Sequence, residues 1–274
     1  MITWNPSPDA ITFGSLHIRW YGLFFVAAFL FGYRIMRWIF SVEKVPLYKL
    51  DPLLNYLFFG VLIGARLGHT LFYEPGIYLR DPVRILKVWE GGLASHGAVL
   101  GVLIALYLFK RRRSFEKSYL WLLDRLTIPV TLGAAFVRLG NLMNSEIVGK
   151  PTDLPWAFVF TRVDAIPRHP TQIYEALAYL LVFLFVSWHY WRRRSDETPG
   201  FLFGSFLVGV FTLRFFIEFL KEAQVTSELS LPVNFGQLFS IPFILLGIVL
   251  LKKGLRHERK RNENTVPRKQ KGHR

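Results

Sequence analysis

Apolar runs of membrane length dominate this sequence. A spanning helix needs about 20 mostly apolar residues, and seven segments of the 274-residue chain meet or approach that length. They are residues 18–40, 52–73, 92–109, 119–140, 172–191, 199–220 and 234–251. A soluble helical bundle is the alternative, but it is not expected to repeat so many runs of this length. The pattern therefore predicts an all-α integral membrane protein with seven transmembrane helices.

The distribution of charge predicts how these helices are oriented. The chain carries 34 Lys and Arg against 19 Asp and Glu, an excess that in a soluble protein would suggest nucleic acid binding. Here the basic residues cluster in the 110–118 and 192–198 loops and after residue 251, whereas the 221–233 loop carries two acidic residues and one Lys. Cytoplasmic loops are enriched in Lys and Arg. We therefore expect the N-terminus outside, the C-terminus in the cytoplasm and no nucleic acid partner.

The chain contains no cysteine. Disulfides, thiolate metal sites and a cysteine nucleophile of its own are thereby excluded, so any thiol chemistry belongs to a substrate. Residues 1–17 lack the basic start and small-residue cleavage site of a signal peptide, and the first apolar run is expected to remain as an anchor.

Residues 138–149 (RLGNLMNSEIVG) place polar groups where a membrane helix should leave the hydrocarbon. Ionisable groups at that depth cost a few kcal/mol or more, so they usually face a partner, a cavity or a substrate. The polar residues of this stretch are Arg138, Asn141, Asn144 and Glu146. This cluster is the strongest functional candidate in the chain.

Three other segments are expected to bring polar side chains to the same depth. In the predicted topology, Arg214 and Glu218 lie in the outer half of the sixth segment, His96 near the outer start of the third, and Tyr21 near the outer end of the first. Two arginines from different helices could clamp one phosphate, because the guanidinium is planar and always charged. Histidine is the usual general base near neutral pH.

Each of these residues also has a structural alternative. The alternatives are an intrahelical ion pair for Arg214 and Glu218, a hydrogen-bonded core position for His96, an interfacial aromatic position for Tyr21, and a helix-packing pair for Arg66 and His69.

Taken in order along the chain, the motifs closely resemble those of bacterial prolipoprotein diacylglyceryl transferases. Beside residues 138–149, the resemblance includes Trp20-Tyr21-Gly22, Gly64-Ala-Arg66-Leu-Gly, Gly91-Gly92-Leu-Ala-Ser-His96-Gly97, Arg168-His169-Pro170-Thr-Gln172-Ile-Tyr174-Glu175, Arg214-Phe-Phe-Ile-Glu218-Phe and Gly236-Gln237.

The resemblance implies seven transmembrane helices in the bacterial inner membrane, with the active site facing the periplasm. It implies transfer of the diacylglyceryl group of phosphatidylglycerol to the lipobox cysteine of a prolipoprotein. A thioether forms and glycerol phosphate leaves, as the first step of lipoprotein maturation. The implied catalytic residues are His96, Arg138 and Arg214, and the implied substrate-binding residues are Tyr21, Asn141, Glu146, Gly149 and Glu218. No cofactor and no metal are expected.

Residues 1–251 then form the catalytic domain, with a small outer head from the 141–171 loop, whose Pro and Gly residues favour ordered turns. Residues 252–274 form a basic cytoplasmic tail that is expected to be disordered.

Two departures from the family pattern stand near the end of the sixth segment and the start of the seventh. Many members have Arg three residues after the sixth-helix Glu, where this chain has Lys221. Asn234-Phe235 replaces the more frequent Ser-Met. Lysine keeps the charge but not the two-pronged geometry of arginine, so a role for Lys221 in head-group binding is left open.

Two other classes of function fit intramembrane charge. A secondary transporter would use arginines and glycine-rich helices, but would distribute polar groups across the membrane and often carry an internal repeat. A structural membrane subunit would use its charges in assembly. The collection of polar groups near one leaflet, with no visible repeat, argues against a transporter. Release of glycerol phosphate that depends on a thiol peptide would separate the transferase from both.

Overall fold

Long helices form most of the chain. The computed structural model describes residues 1–14, 16–88, 92–112, 115–193, 198–223 and 233–265. The helices are α1 (Trp20–Val42), α2 (Leu50–Phe72), α3 (Pro75–Arg80), α4 (Ser95–Arg112), α5 (Tyr119–Asn144), α6 (Thr171–Arg193), α7 (Phe201–Ile217) and α8 (Phe235–Thr265). Short 3₁₀ helices cover Leu47–Lys49, Pro82–Leu86 and Glu218–Leu220.

Six helical stretches in the described part of the chain are long and apolar enough to cross a membrane. They are Trp20–Val42, Leu47–Phe72, Tyr119–Asn144, Thr171–Arg193, Phe201–Leu220 and Phe235–Leu255. The prediction of a multi-pass helical membrane protein is confirmed. The predicted third span is also a helix, α4, but its 18 residues end in three basic ones, which keeps it outside this group. The seventh crossing and the orientation of the termini stay predictions.

The chain divides into two compact units. Unit 1 comprises Met1–Ile35 and Leu123–Arg274, and unit 2 comprises Met36–Leu122. In unit 2, α2 and α4 pack through glycines, because a Cβ on Gly64 would collide with the carbonyl oxygen of Gly97, and one on Gly101 with that of Gly60. Small residues at this spacing let two membrane helices approach closely.

In unit 1, a buried aspartate on α5 organises the start of α7. Asp124 accepts hydrogen bonds from the backbone N–H groups of Gly200 (2.6 Å) and Phe203 (2.9 Å). The first N–H groups of a helix have no intrahelical partner, so the carboxylate satisfies groups that would otherwise be buried unpaired. This contact explains one of the charges inside the fourth predicted segment as structural.

The loop between α5 and α6, which we call the head, contributes to a small sheet that was not predicted. Strand β1 (Ile2–Trp4) runs parallel to β4 (Phe158–Phe160), and β4 pairs antiparallel with β5 (Pro167–Arg168). Leu142, Phe158 and Phe160 form its core with Trp4 packed against them. Strands β2 (Asp9–Phe13) and β3 (Leu16–Arg19) form a separate hairpin. The all-α prediction is therefore incomplete, because strands this short leave no local periodicity to detect.

The basic tail that was predicted from residue 252 begins as a continuation of α8. Helix α8 continues to Thr265, beyond the apolar span that ends at Leu255. Extending an existing helix is far less costly than nucleating one, and the Lys, Arg and Glu of this segment are good helix formers. Residues 266–274 lie outside the described residues.

Candidate functional site

The site is built around the turn that ends α5. After Asn144, Ser145 and Ile147 both have positive φ, at 54° and 57°, a conformation that non-glycine residues adopt at a cost and often at functional sites. The turn folds Glu146 back, so that its backbone N–H donates to the carbonyl of Asn141 at 2.9 Å. The side-chain amides of Asn141 and Asn144 then donate to the two carboxylate oxygens of Glu146, at 2.9 and 3.1 Å.

Arg138 lies one helical turn before Asn141 and faces the same side of α5. Its Nη1 donates to Asn141 Oδ1 at 3.0 Å, and its Nε lies 2.9 Å from Oε2 of Glu175 on α6. The Arg138 side chain is 13% exposed and that of Glu175 is fully buried. The signature of residues 138–149 is therefore one connected hydrogen-bonded unit, tied to a second helix by a buried ion pair.

Further charges extend this arrangement to α7 and the residues that follow it. Lys221 Nζ lies 2.9 Å from Glu175 Oε1 and 3.1 Å from Glu218 Oε2. Glu218 Oε1 lies 3.4 Å from Arg214 Nη2. Positive and negative groups alternate through Arg138, Glu175, Lys221, Glu218 and Arg214, which we call the charge network. Tyr179 supports it by donating its hydroxyl to Glu175 at 3.2 Å.

The intrahelical ion pair of Arg214 and Glu218, which was the structural alternative for these two residues, is confirmed. However, the pair does not stand alone, because Glu218 also contacts Lys221 and through it reaches Glu175 and Arg138. Two of the predicted catalytic residues thus belong to one network within unit 1. Arg214 is its most exposed cation, with a side chain 32% exposed.

Tyr21 and Gly149 lie close to the same turn. A Cβ on Gly140 would lie 2.7 Å from the ring of Tyr21, so Tyr21 packs against α5 immediately before Asn141. The backbone of Gly149 donates to the His169 carbonyl at 3.0 Å and accepts from Arg168 Nη1 at 3.1 Å. A Cβ on Gly149 would lie 2.5 Å from that of His169, so this position requires glycine for close backbone approach.

Comparison with known proteins identifies the family to which this arrangement belongs. A match to the prolipoprotein diacylglyceryl transferase family covers residues 8–252. The chain belongs to this family. A relative from Chloroherpeton thalassium, named phosphatidylglycerol–prolipoprotein diacylglyceryl transferase, is 49% identical over 91% of this chain and 93% of the relative. Relatives with the same name from Tolumonas auensis and Bacteroides fragilis are 49% and 45% identical, over 92% and 91% of this chain and 96% and 94% of those proteins.

His96 is not among the residues that unit 1 assembles. It lies in the first turn of α4 in unit 2, where it is exposed. Its ring centroid is 5.6 Å from that of Tyr73 and 5.8 Å from that of Phe72. The hydrogen-bonded core position that was its structural alternative is therefore wrong, and a role as general base stays a prediction.

Two members of the charge network were missed in the sequence as site residues. Glu175 is the single acidic residue of α6, and a lone carboxylate in an apolar membrane helix demands a partner. That signal was sufficient to nominate it. Lys221 was noted only as a departure from the family pattern, and its burial between two carboxylates could not be read from its position after the sixth segment.

The head carries a second set of ionic contacts outside the membrane helices. Arg168 contacts Asp164 at 2.6 Å and Glu222 at 2.8 Å, and its hydrogen bonds hold the pKa of Asp164 below the usual value. Burial lowers the pKa of the neighbouring His169. Among the described residues, no group of three or more His, Asp or Glu side chains is placed to hold a metal ion.

Proposed function

We propose that this protein transfers the diacylglyceryl group of phosphatidylglycerol to prolipoproteins, the first step of lipoprotein maturation. The charge network carries the proposal, because carboxylates fix the positions of the Arg138 and Arg214 guanidinium groups. Membership of the family supports the same reaction, since the names of the relatives above include phosphatidylglycerol and prolipoprotein.

The acceptor is the cysteine thiol of a lipobox in the prolipoprotein. Its sulfur forms a bond to the glyceryl carbon as the carbon–oxygen bond to phosphate breaks, and the bonding electrons leave with glycerol phosphate. The thiol proton must be accepted by a base, because free cysteine is mostly protonated at neutral pH. We assign this role to His96. The product is a thioether, and no cofactor is needed for the balance.

Negative charge builds on the departing phosphate, and fixed cations in a site of low dielectric stabilise it better than water does. Arg214, whose side chain is 32% exposed, presents its guanidinium to the phosphate. Arg138 is held by Glu175 and Asn141 and supplies a fixed charge beside it. A guanidinium is in general a permanently charged group.

Head-group selection falls to the turn after α5. Glu146 is exposed, yet both of its carboxylate oxygens are oriented by the amides of Asn141 and Asn144. A carboxylate oriented in this way accepts hydrogen bonds from the hydroxyl groups of the glycerol head group. Tyr21 orients the lipid from the start of α1, and Gly149 keeps the backbone of the head close to the turn.

In the bacterial inner membrane the chain crosses seven times, with α4 as the third crossing. The N-terminus and the head face the periplasm, and the tail from residue 252 is cytoplasmic. Because the chain has no cysteine, single cysteines at Val163 in the head and Lys117 in the 110–118 loop test this directly. In intact cells, a membrane-impermeant maleimide should label Val163→Cys only. Labelling of Lys117→Cys but not Val163→Cys would indicate the opposite topology and contradict the proposal.

The activity is tested with purified protein, phosphatidylglycerol and a lipobox peptide. Glycerol phosphate should be released only when the peptide carries its cysteine, and the peptide should gain the mass of one diacylglyceryl group. A peptide with serine in place of cysteine is the matched control. Release of glycerol phosphate without the thiol, or no release at all, would contradict the proposed reaction.

A further inference from the structure

Lys221 is the most enclosed cation of the charge network. Its side chain is 2% exposed, so it does not meet the lipid head group directly. Its ammonium lies 2.9 Å from Glu175 and 3.1 Å from Glu218. Each carboxylate contacts Lys221 on one side and an arginine on the other, Glu175 reaching Arg138 and Glu218 reaching Arg214.

The backbone around Lys221 is also fixed. Lys221 forms a bridge with Gly149, and the flanking contacts run from Lys150 N–H to the Leu220 carbonyl at 2.8 Å and from Glu222 N–H to the Val148 carbonyl at 3.2 Å. The segment after the α5 turn therefore holds Lys221 in place. The same part of the chain that orients Arg138 at one end of the network fixes the lysine at its centre.

Lys221 also determines the net charge of the network, which affects the binding of an anionic lipid. Three cations and two carboxylates leave the network with a net charge of +1, which suits an anionic phosphodiester. Without Lys221 the network would be neutral, and one oxygen each of Glu175 and Glu218 would lose its cationic partner in a largely buried region. Removing one partner from a buried ion pair is costly because it leaves the other charge uncompensated.

We infer that Lys221 is a positioning residue for the transfer reaction proposed above. By holding one oxygen of Glu175 and one of Glu218, it sets the separation and orientation of the Arg138 and Arg214 guanidinium groups and preserves their excess positive charge. It acts on the phosphate through the arginines and does not touch it. The inference rests on phosphatidylglycerol being the substrate.

The experiment compares Lys221→Met, Lys221→Arg and Lys150→Met, each purified in detergent and assayed with phosphatidylglycerol and the lipobox peptide. Lys150 lies one residue from Gly149, is exposed and carries the same charge, which makes it the matched control. We expect Lys221→Met to lower kcat by about 10- to 100-fold, since small displacements of catalytic groups have effects of this size. KM for phosphatidylglycerol should rise as well.

Lys221→Arg should recover most of the lost activity, because a guanidinium can contact both carboxylates. Lys150→Met should keep kcat and KM close to wild type. A purely structural role would lower the thermal midpoint while leaving kcat and KM of the folded enzyme unchanged, and that result would overturn the inference. A folded Lys221→Arg that is as inactive as Lys221→Met would overturn it too.

If Lys221→Met fails to fold, Lys221→Gln takes its place, because its amide removes the charge but can still donate hydrogen bonds in the buried region. It should fold and show a similar loss of kcat, and wild-type turnover in this variant would overturn the inference. A wild-type protein that releases no glycerol phosphate would instead refute the proposed function, so the two failures are distinguishable.

Discussion

Arg66 in unit 2 and Arg138 in unit 1 are both arginines on apolar helices, but their contacts within the described part of the chain differ in kind. Arg66 is buried on α2, and its guanidinium donates to the backbone carbonyl oxygens of Ile85 (2.9 Å), Lys87 (3.2 Å), Gly92 (3.3 Å) and Arg84. Arg138 contacts side chains, namely the carboxylate of Glu175 and the amide of Asn141.

The kind of group that each arginine contacts determines whether it fixes backbone or arranges charged side chains. Backbone carbonyls are neutral, so Arg66 fixes the positions of residues 84–87 and of Gly92. The Tyr78 ring lies 5.0 Å from its guanidinium. Arg66 and His69 also pack at one point, because a Cβ on Gly92 would lie 2.9 Å from Arg66 Nη1 and 2.6 Å from the His69 ring, and His69 contacts Glu74 at 3.3 Å. The partners of Arg138 are ionised or polar side chains on α5 and α6, and they arrange charge.

The largest expected effect is on turnover in unit 1. Arg138→Leu should lower kcat for glycerol-phosphate release by about 10²- to 10³-fold, the usual loss for a group that stabilises transition-state charge. It should also lower the thermal midpoint, because Glu175 is buried and loses a counter-ion. Arg214→Ala is the control: its side chain is partly exposed, so a comparable loss of kcat should come with a smaller loss of stability. Near-wild-type kcat in both variants would remove the distinction between the two units.

Arg66→Leu should show the opposite behaviour. Four backbone carbonyls lose a charged donor, and we expect a loss of stability of about 2–4 kcal/mol. Turnover per folded molecule should change little. Thermal unfolding and hydrogen exchange of residues 84–88 measure the effect. Arg84→Gln is the matched control, because its exposed pairing with Asp81 at 3.7 Å contributes about 0–1 kcal/mol. Loss of turnover without loss of stability in Arg66→Leu would place Arg66 in the site.

Alanine substitutions at one glycine in each unit, Gly149 and Gly76, compare how tightly the two units are packed at these positions. Gly149→Ala would place a Cβ against His169 and 2.9 Å from the Leu220 carbonyl, and overpacking of this kind costs about 1–3 kcal/mol. Because Gly149 is bridged to Lys221, kcat should fall with stability. A Cβ added to Gly76 on α3 would meet no other atom within 4 Å, so Gly76→Ala should leave the thermal midpoint unchanged or slightly raised. Equal effects at both positions would show that close packing at Gly149 is unimportant.

The smallest effect concerns a third arginine, Arg168, which contacts Asp164 in the head. Its hydrogen bonds lower the folded-state pKa of Asp164, so the contact contributes stability above the unfolded pKa of about 3.9 and loses it as pH falls through the folded value. Wild type should therefore melt above Asp164→Asn at pH 7, and the difference should shrink below about pH 4. A difference that persists unchanged at lower pH would contradict this ionic contribution.

Much of the site follows from local sequence spacing. Arg138 and Asn141 are three residues apart and Arg214 and Glu218 are four apart, so each pair lies on one helix face whatever the rest of the fold does. The turn after Asn144 brings Glu146 to Asn141 within the same short stretch. These contacts are determined by helix geometry, which is why the sequence alone could nominate all five residues.

The contacts that join these local pairs are set by tertiary structure. Lys221 and Glu175 are 46 residues apart, and β1 pairs with β4 across most of the chain, with Ile2 opposite Phe158. No periodicity encodes such pairings, because they depend on which helix faces pack and where a loop returns. The apolar runs by themselves determine a membrane protein with charged residues at the ends of its helices. Only the packing of α5, α6 and α7 decides that Glu175 and Lys221 connect two arginines into one network, since a buried charge is stable only where another segment supplies its partner.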